Sequence, residues 1–284
     1  MGIEPMKTPD FKDSYPLLDA HCHLDLMPNG EEVARSCADL NTSFLATTVT
    51  PQGYQQACER FSSYQNVRVA LGAHPWWIAD GRLSPQDIRL FCELAEHERY
   101  LGEVGIDLSP HHVDPLSQEI QTETFGIIAQ AAARLTQQTG LVRILSIHSV
   151  RSSEIILDIL ERTDCVVSGP SSGNGTRDAG LCRCIFHWFT GSCEELWRAI
   201  RSGCRFSINE RMLATKRGRE YCRLIPDDRL LLETDLPETY EAPTDPTALI
   251  TSLYRTLEGL AKIRNCPADE LACRIDNNTQ SLFV

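Results

Sequence analysis

The chain has 284 residues, a hydrophobic share of 42% and a formal net charge of −12, from 27 Lys and Arg against 39 Asp and Glu. This apolar share, with only 17 Gly and 15 Pro, excludes collagen-like, low-complexity and wholly disordered proteins. The acidic balance argues against a protein that coats duplex DNA through net positive charge. An enzyme that acts on nucleic acid is still possible, because metal ions and local basic patches can supply the positive field.

Twelve cysteines suggest a disulfide scaffold or a zinc ribbon, but the rest of the sequence favours neither. Residues 1–15 are polar and lack the apolar stretch of a secretory signal. No run approaches the roughly 18 apolar residues of a membrane span. No C-x-x-C motif is present, and the nearest pair, Cys182 and Cys184, lies in an apolar run where both are expected to pack as small hydrophobic residues. We therefore expect a reduced, cytoplasmic protein with buried thiols.

Short apolar runs alternate with longer amphipathic segments along the chain. The predicted strands are Leu17–Ala20, Phe44–Val49, Val67–Leu71, Tyr100–Val104, Ile144–Ile147, Cys184–Phe186, Arg205–Ile208 and Leu230–Glu233. The predicted helices are Glu31–Asp39, Gln52–Ser62, Pro85–His97, Pro115–Gln138, Ser153–Arg162, Cys193–Ser202, Lys216–Tyr221 and Thr247–Arg264. Many of the strands are apolar throughout, as in a parallel sheet that is buried on both faces.

Eight strands that are each followed by a helix predict an α/β fold, a single (β/α)8 TIM barrel over residues 16–284. A doubly wound open sheet is the alternative, but no G-x-G-x-x-G motif follows an early strand. Residues 1–15 are expected to form an extension outside the barrel. The segment Ser168–Thr176 reads SGPSSGNGT and is predicted to be a flexible insertion, with a lid over the site as the alternative.

Side chains that can bind metal follow one predicted strand after another. The first group is Asp19-Ala20-His21-Cys22-His23, where His21 and His23 project to the same side of an extended segment and Cys22 points away. The later ones are His74 after the third strand, Glu103 and Asp107 at the fourth, His148 at the fifth, His187 at the sixth, and Glu233 and Asp235 at the eighth. The remaining histidines, His97, His111 and His112, do not fall at strand ends.

In a barrel of this type the carboxyl ends of the strands meet at one face, which carries the active site. The sequence therefore predicts a metal site of imidazoles and carboxylates. Such ligands suit Zn²⁺, Mn²⁺, Fe²⁺ or Ni²⁺, and a bridging carboxylate suits two ions. Two ions about 4 Å apart can activate a water and stabilise both oxygens of a phosphodiester that is being cleaved. A carboxylate at such a site can accept the proton of that water, and an imidazole can stabilise the developing negative charge.

Six motifs in order, D-x-H-x-H-L, G-x-H-P, G-E-x-G-x-D, I-H-S, H-x-F-x-G-S and E-T-D-x-P, resemble the TatD family of metal-dependent deoxyribonucleases, a group of amidohydrolase-superfamily barrels. The resemblance spans residues 18–237. The stretches HCHLD, ILSIHSV and HWFTGS are most similar to the QatD branch, the nuclease component of a bacterial anti-phage system. The resemblance thus implies a DNA substrate, a role in antiviral defence and protein partners within such a system.

The resemblance also implies roles for individual residues and two divalent ions, Mg²⁺, Mn²⁺ or Zn²⁺. His21, His23 and Asp235 would hold one ion, His148 and His187 the other, with Glu103 bridging both. His74 and Asp107 occupy positions that, in the family, contact the scissile phosphate or help to protonate the leaving group. In agreement with this, Asp235 would accept the proton of the attacking water, and His74 would stabilise the developing negative charge. The chain departs from the family pattern at Val150, where a basic residue is usual, and at Leu108-Ser109, where an aromatic pair is common.

Aromatic and basic residues near the expected site bear on the substrate. Trp76, Trp77 and Trp188 either stack on bases of a single strand, at about 1–3 kcal/mol each, or cover the barrel rim. Residues 198–229 hold nine basic and four acidic side chains, which either contact phosphates or form a solvated helix face. Glu233 either orients a metal ligand or is a buried carboxylate satisfied by a neighbour.

The sequence thus predicts a metal-dependent deoxyribonuclease, an exonuclease on single-stranded or frayed DNA ends. A second enzyme class is open, because the same activated water can hydrolyse a lactone, a cyclic amide or an aminoacyl-tRNA. A non-catalytic binding subunit with a structural metal site is the third interpretation. A structural site needs fewer ligands and no open position, so the full set of ligands argues against this last one.

Overall fold

A computed structural model describes residues 15–110, 114–167 and 180–283, which form a closed barrel of eight parallel strands in chain order. The strands are β1 Leu17–Cys22, β2 Thr42–Thr47, β3 Val67–Ala73, β4 Tyr100–Asp107, β5 Ile144–Val150, β6 Arg183–His187, β7 Arg205–Ile208 and β8 Leu230–Leu232. Asp19 of β1 pairs with Leu232 of β8, which closes the barrel. The predicted (β/α)8 barrel is confirmed, and each predicted strand overlaps an observed one.

Helices surround the barrel. They are α1 Gly30–Ala38, α2 Pro51–Arg60, α3 Pro75–Ala79, α4 Pro85–Leu94, α5 Pro115–Thr139, α6 Ser153–Arg162, α7 Cys193–Arg201, α8 Glu210–Ala214, α9 Lys216–Leu224, α10 Pro246–Arg264 and α11 Ala268–Phe283. The eight predicted helices are present, whereas α3, α8 and α11 lie outside the predicted set. The first two have five residues each, too few for a periodic pattern, and α11 carries a polar run, DNNTQS, that obscures its apolar face.

Local sequence explains where several helices begin. The Ser84 side chain accepts a hydrogen bond from the backbone N–H of Asp87, and the Asp87 side chain accepts one from the backbone N–H of Ser84. Helix α4 therefore starts with a capping box. Ser192 and Glu195 form the same arrangement at the start of α7. Proline occupies the first turn of α2, α3, α4, α5 and α10, where its missing N–H is no loss. These caps fix the point at which each chain segment leaves the carboxyl end of a strand.

The amino-terminal end of the barrel is filled by apolar side chains. Inside the barrel the buried cluster comprises Leu18, Ala20, Leu45, Ala70, Ile144, Ile185, Leu231, Leu282 and Phe283. The last two belong to α11, whose carboxyl-terminal turn covers this opening. Phe283 stacks on Tyr100 with ring centroids 5.5 Å apart, and Arg99 donates to the Leu282 carbonyl at 2.9 Å. The polar residues at strand ends lie at the opposite, carboxyl-terminal end of the barrel.

Some predictions fall on residues that the structure does not describe, and one needs correction. Residues 1–14 and 168–179 lie outside the described residues, so the extension and the insertion stay predictions. All twelve cysteines are free. Seven are buried, Cys182 and Cys184 among them, but Cys193 and Cys273 are exposed, so the expectation of buried thiols is wrong for these two. No helix in the described part of the chain is long and apolar enough to cross a membrane.

Candidate metal centre

The carboxyl ends of the strands carry the predicted site residues to one place. His21 lies on β1, Glu103 and Asp107 on β4, His148 on β5 and His187 on β6. His23 and His74 directly follow β1 and β3, and Asp235 lies three residues beyond β8. Seven of them, all but His21, line a cavity of about 380 Å³ at this end of the barrel. The structure therefore brings the predicted ligands together around one open space.

Close approach of β4 to β5 brings Glu103 and His148 together. Gly105 has φ +150°, and a Cβ atom there would lie 2.0 Å from the carbonyl oxygen of His148. Only glycine therefore allows this spacing. The G-E-x-G motif has a physical reason, because Gly105 admits the neighbouring strand while Glu103 faces the site.

The two oxygens of Glu103 point to two different pairs of histidines. Oε2 lies 3.4 Å from Nε2 of His21 and 3.1 Å from Nε2 of His23. Oε1 lies 2.5 Å from Nδ1 of His148 and 2.8 Å from Nε2 of His187. Glu103 is 1% exposed, so these contacts form away from solvent. This division is the geometry of a carboxylate that can bridge two cations.

Hydrogen bonds at the far side of two rings define which nitrogen is free to bind metal. Nδ1 of His23 donates to the Thr47 carbonyl at 3.0 Å, which leaves the Nε2 lone pair facing Glu103. Nε2 of His148 donates to Asp107 Oδ2 at 2.9 Å, which leaves the Nδ1 lone pair facing Glu103. A ring nitrogen held by a carbonyl or carboxylate behind it is the usual arrangement of a metal-binding histidine.

Without a cation, the lone pairs of these ring nitrogens face carboxylate oxygens and repel them. Protonation of the histidines removes this repulsion. Burial acts to lower the pKa of His23, but the nearby negative charge of Glu103 outweighs it and raises the pKa to about 9. For His148, burial is likewise outweighed by Asp107 and Glu103, and the pKa rises to about 10. Glu103 Oε2 has no hydrogen-bond partner within the described part of the chain. Buried nitrogen and oxygen donors in this relation fit divalent cations.

Asp235 and His187 link the two groups of ligands. Asp235 Oδ1 lies 3.8 Å from Nε2 of both His21 and His23. The His187 ring stacks on that of His21, with centroids 3.9 Å apart and planes inclined by 13°. One ligand atom from each of His21, His187 and Asp235 lies within 4.8 Å of the other two. The predicted division into two sites therefore stays a prediction for His187, which borders both.

His74 is oriented as a hydrogen-bond donor to the site. Its Nδ1 accepts from the Trp76 backbone N–H at 3.1 Å, so the proton of the neutral ring is on Nε2. Nε2 lies 3.4 Å from Glu103 Oε1. Burial lowers the pKa of His74, which favours this neutral form. The geometry suits stabilisation of negative charge better than binding of a metal through Nε2.

Asp107 is engaged on both oxygens by its own chain. Oδ1 accepts from the Ser109 backbone at 2.7 Å, and Oδ2 accepts from Trp76 Nε1 at 2.7 Å and from His148 Nε2 at 2.9 Å. Burial acts to raise the pKa of Asp107, but these hydrogen bonds outweigh it and lower the pKa well below the ordinary value. The contacts support a positioning role toward His148, and a contact with the scissile phosphate stays a prediction.

Several residues that hold the ligands in place were not predicted from the sequence. Ser146 Oγ lies 2.7 Å from Nδ1 of His21. Asp19 accepts from the backbone of Thr234 at 3.0 Å and of His21 at 3.3 Å, which ties β1 to the segment that carries Asp235. Asp19 and Ser146 each lie two residues before a predicted ligand on a strand, and that spacing was the available signal.

Glu233 supports the wall of the cavity. Its Oε1 accepts from Asn209 Nδ2 at 2.7 Å and from the Trp188 backbone at 3.1 Å, and Ser207 donates to Oε2. Within the described residues, Glu233 makes no hydrogen bond to a predicted ligand. Glu233 is therefore a buried carboxylate whose hydrogen bonds come from neighbouring residues. It fixes the backbone position of Trp188, the residue that follows His187.

Some of the tryptophans and basic residues near the site contact other side chains of the protein, and others reach the cavity. Trp76 is tied to Asp107, and Trp77 lies under Arg82, whose Cζ is 3.9 Å from the ring centroid. In the segment 198–229, Arg198 pairs with acidic residues of α6, whereas Arg211 reaches the cavity. Arg211 is therefore the member of this basic segment that lines the cavity.

Comparison with known proteins gives a family match. The model of the family described as TatD related DNase matches residues 18–284. The uncharacterized metal-dependent hydrolase YabD of Bacillus subtilis is 25% identical over 94% of this chain and 98% of its own. A protein named 3'-5' ssDNA/RNA exonuclease TatD from Escherichia fergusonii is 25% identical over 88% of this chain and 91% of its own.

Solved structures share the fold. An uncharacterized amidohydrolase from Saccharomyces cerevisiae superposes with a TM-score of 0.69 at 15% identity, covering 95% of this chain and all of the other. A TatD family hydrolase from Entamoeba histolytica gives 0.67 at 16% identity, covering 94% and 98%. At these identities the likeness concerns the barrel, and the chemistry has to be argued from the site.

Proposed function

We propose a nuclease function on the premise that the chain belongs to the TatD family of metal-dependent hydrolases. The proposed reaction is hydrolysis of phosphodiester bonds in DNA, with the chain acting as an exonuclease on single strands or frayed ends. The observation that carries the proposal is the position of Glu103, with one pair of histidines at each carboxylate oxygen.

The residues around Glu103 would hold two cations. His21, His23 and Asp235 would serve the Oε2 side, and His148 and His187 the Oε1 side. Two divalent ions, when bound, would supply Lewis acidity toward the phosphodiester and would lower the pKa of the attacking water. Mg²⁺, Mn²⁺ and Zn²⁺ are all compatible with a mixed set of imidazoles and carboxylates.

The chain itself supplies orientation, a proton acceptor and a hydrogen-bond donor. Asp107 holds the His148 ring through Nε2, and Thr47 holds His23 through Nδ1, so that neither ligand has to reorganise during turnover. Asp235, whose side chain is more exposed than that of Glu103, accepts the proton of the attacking water. The Nε2 proton of His74 is directed to the charge that develops on the phosphoryl oxygens.

The shape of the cavity supports a strand end as the substrate. Its volume of about 380 Å³ is near the lower limit for small-molecule sites, which suits a nucleotide and not a duplex. Trp77, Trp188 and Tyr240 line it, and Tyr240 is half exposed. Aromatic rings at such a mouth can stack on unpaired bases. The relatives named ssDNA/RNA exonucleases support the same class of substrate.

The test is cleavage of end-labelled DNA by the purified protein. Single-stranded, frayed and blunt duplex oligonucleotides are incubated with the protein after chelation and after addition of Mg²⁺, Mn²⁺ or Zn²⁺. We expect metal-dependent shortening from an end, fastest on single strands, and loss of cleavage in Glu103→Gln. Cleavage that survives chelation or the Glu103→Gln substitution would contradict the proposal.

A parallel set of substrates separates the alternatives. Lactones, cyclic amides and an aminoacyl-tRNA are offered to the same metal-loaded protein. Hydrolysis of one of these with DNA left intact would replace the nuclease proposal by the second enzyme class. Tight metal binding without turnover of any substrate would favour a binding subunit.

The similarity of the sequence motifs to the QatD branch supports anti-phage defence as the biological setting of this activity. Protection of a host would then require the catalytic site. We expect the efficiency of phage plating on cells that carry the intact source locus to rise when the chain bears Glu103→Gln. Equal plating with the wild-type and substituted chains would exclude a role for cleavage in defence.

A further inference from the structure

Arg211 connects the metal-ligand cluster to the mouth of the cavity. Its Nη2 donates to Asp235 Oδ2 at 2.9 Å and to the carbonyl oxygens of Thr234 and Asp235, each at 3.3 Å. The Asp235 side chain is 16% exposed and that of Arg211 is 35% exposed. The guanidinium therefore lies between the buried carboxylates and solvent.

Arg211 has N–H donors that the described residues do not use, and it is the arginine side chain at this site. Of the described residues that line the cavity, it is the one Lys or Arg, whereas Glu103, Asp107, Asp235 and Glu238 are all acidic. Its hydrogen bonds to the described residues all use Nη2, so Nε and Nη1 have no acceptor among them. A polyanion that enters this acidic cavity therefore meets a permanently charged guanidinium at its mouth.

Trp188 fixes the position of the guanidinium. Cζ of Arg211 lies 4.2 Å from the centroid of the Trp188 ring, within the range of a cation–π contact. Trp188 itself has φ +37°, an unfavourable conformation for a bulky residue, and its N–H is held by Glu233. A strained backbone held by a buried carboxylate indicates that the ring position is built for a purpose beyond packing.

We propose that Arg211, held on Trp188, binds the phosphate next to the scissile one and so makes the site selective for nucleic-acid strands over isolated phosphodiesters. This assignment rests on the proposed nuclease function. Phosphates recur about every 3.4 Å of rise along each strand. A strand whose scissile phosphate is at the ligand cluster therefore brings its neighbouring phosphate within reach of a guanidinium that already contacts Asp235. While Nη2 stays on Asp235, the N–H groups of Nη1 and Nε are left to donate to phosphate oxygens.

The first experiment compares two substrates with the holoenzyme. One is a single-stranded oligonucleotide, and the other is bis(p-nitrophenyl) phosphate, a diester without a neighbouring phosphate. For Arg211→Met we expect the ratio of kcat/KM between oligonucleotide and small diester to fall at least about tenfold, mostly through KM for the oligonucleotide. Arg211→Lys keeps the charge and loses the planar set of donors. Its ratio of kcat/KM should lie between those of the wild type and Arg211→Met. An unchanged ratio would mean that Arg211 serves Asp235 alone, and it would overturn the assignment.

Arg82→Met is the matched control. Arg82 lies over Trp77 as Arg211 lies over Trp188, but it pairs with the exposed Asp80 and does not line the cavity. Its removal should leave the substrate ratio unchanged. An equal fall of the ratio in both variants would assign the effect to general loss of positive charge, against the proposal.

A binding measurement separates failure of this assignment from failure of the nuclease proposal. Fluorescence anisotropy of a labelled oligonucleotide is followed against salt for Glu103→Gln and for Glu103→Gln with Arg211→Met. Loss of one phosphate contact should reduce the slope of log affinity against log salt by about 0.7. If the wild type cleaves neither substrate, the nuclease proposal fails, and the salt slopes still decide the role of Arg211: equal slopes overturn it.

Discussion

The two ends of the barrel use the same eight strands for opposite purposes. At the amino-terminal end, Leu282 and Phe283 of α11 close the interior with apolar contacts. At the carboxyl-terminal end, the strands bury imidazoles and carboxylates such as His148 and Glu103, which are in direct contact at the cavity. Burial of apolar area stabilises the fold, whereas burial of unmatched charge costs stability unless a cation or proton balances it. We therefore expect substitutions at the apolar end to change mainly stability and substitutions at the polar end to change mainly the chemistry.

The largest expected effect is at the polar end. Glu103→Gln keeps the size of the side chain and removes the charge that both pairs of histidines face. We expect kcat/KM for single-stranded DNA to fall by about 10³ or more, equivalent to about 4 kcal/mol of transition-state stabilisation. Steady-state cleavage of labelled DNA measures this effect, and circular dichroism checks that the variant folds. A decrease of less than about tenfold would separate Glu103 from the chemistry.

The corresponding change at the apolar end should affect stability and spare activity. Leu282 is 1% exposed, and Leu282→Ala leaves a cavity under the barrel. We expect the free energy of unfolding to decrease by about 2–5 kcal/mol, as for other buried Leu→Ala changes. Urea denaturation measures this loss. At a temperature where the variant is folded, kcat/KM on DNA should equal that of the wild type, and a large decrease would show that the two ends are coupled.

Asp107 tests the support behind one ligand. Asp107→Asn removes the charge that accepts from His148 Nε2. We expect the affinity for one of two ions to fall by about 10–100-fold, with the other unchanged. Titration calorimetry with Mn²⁺ or Zn²⁺ resolves the two binding events. Asp158→Asn, an exposed carboxylate on α6 that pairs with Arg198, is the control and should leave both affinities intact. A loss of DNA cleavage with both affinities retained would instead favour contact of Asp107 with the substrate.

The polar end should also make the metal-free protein sensitive to alkali. The pKa of His23 rises to about 9 and that of His148 to about 10 on folding, above the ordinary value of 6.5. Groups whose pKa is raised in the folded state stabilise it below pH 6.5 and lose that contribution as pH rises toward 9 or 10. We expect the free energy of unfolding after chelation to decrease between pH 7 and 9, by up to about 1.4 kcal/mol per pH unit for each histidine. Denaturation curves at several pH values measure it. A flat profile after chelation would contradict this account, and added metal should flatten the profile.

The smallest effect is expected from the segment Ser168–Thr176. Its composition predicts an insertion that neither end of the barrel needs. Deletion of these nine residues should leave both DNA cleavage and thermal stability close to those of the full chain. A collapse of turnover with the fold preserved would identify the segment as a lid.

The sequence was sufficient for the barrel, and it also predicted which side chains gather at one end of it; their roles as metal ligands stay a prediction. Buried strands appear as apolar runs, and polar residues interrupt or follow these runs, as His148 does within β5. The helices α3 and α8 are too short to leave a periodic pattern. Arg211 had no signal of its own among nine basic residues, because its role depends on the fold bringing α8 beside Asp235. A contact between two elements, such as that of Arg211 with Asp235, depends on how the elements pack and cannot be predicted from the spacing of residues along the sequence.

The most direct test of the central claim is the number of divalent ions bound per chain. The protein is freed of metal, loaded with Mn²⁺ or Zn²⁺, and analysed by mass spectrometry of metal and protein together. Because each oxygen of Glu103 faces its own pair of histidines, we predict two ions in the wild type, one in His23→Ala and in His148→Ala, and no tightly bound pair in Glu103→Gln. A single ion in the wild type, or two ions retained in Glu103→Gln, would contradict the bridging role of Glu103.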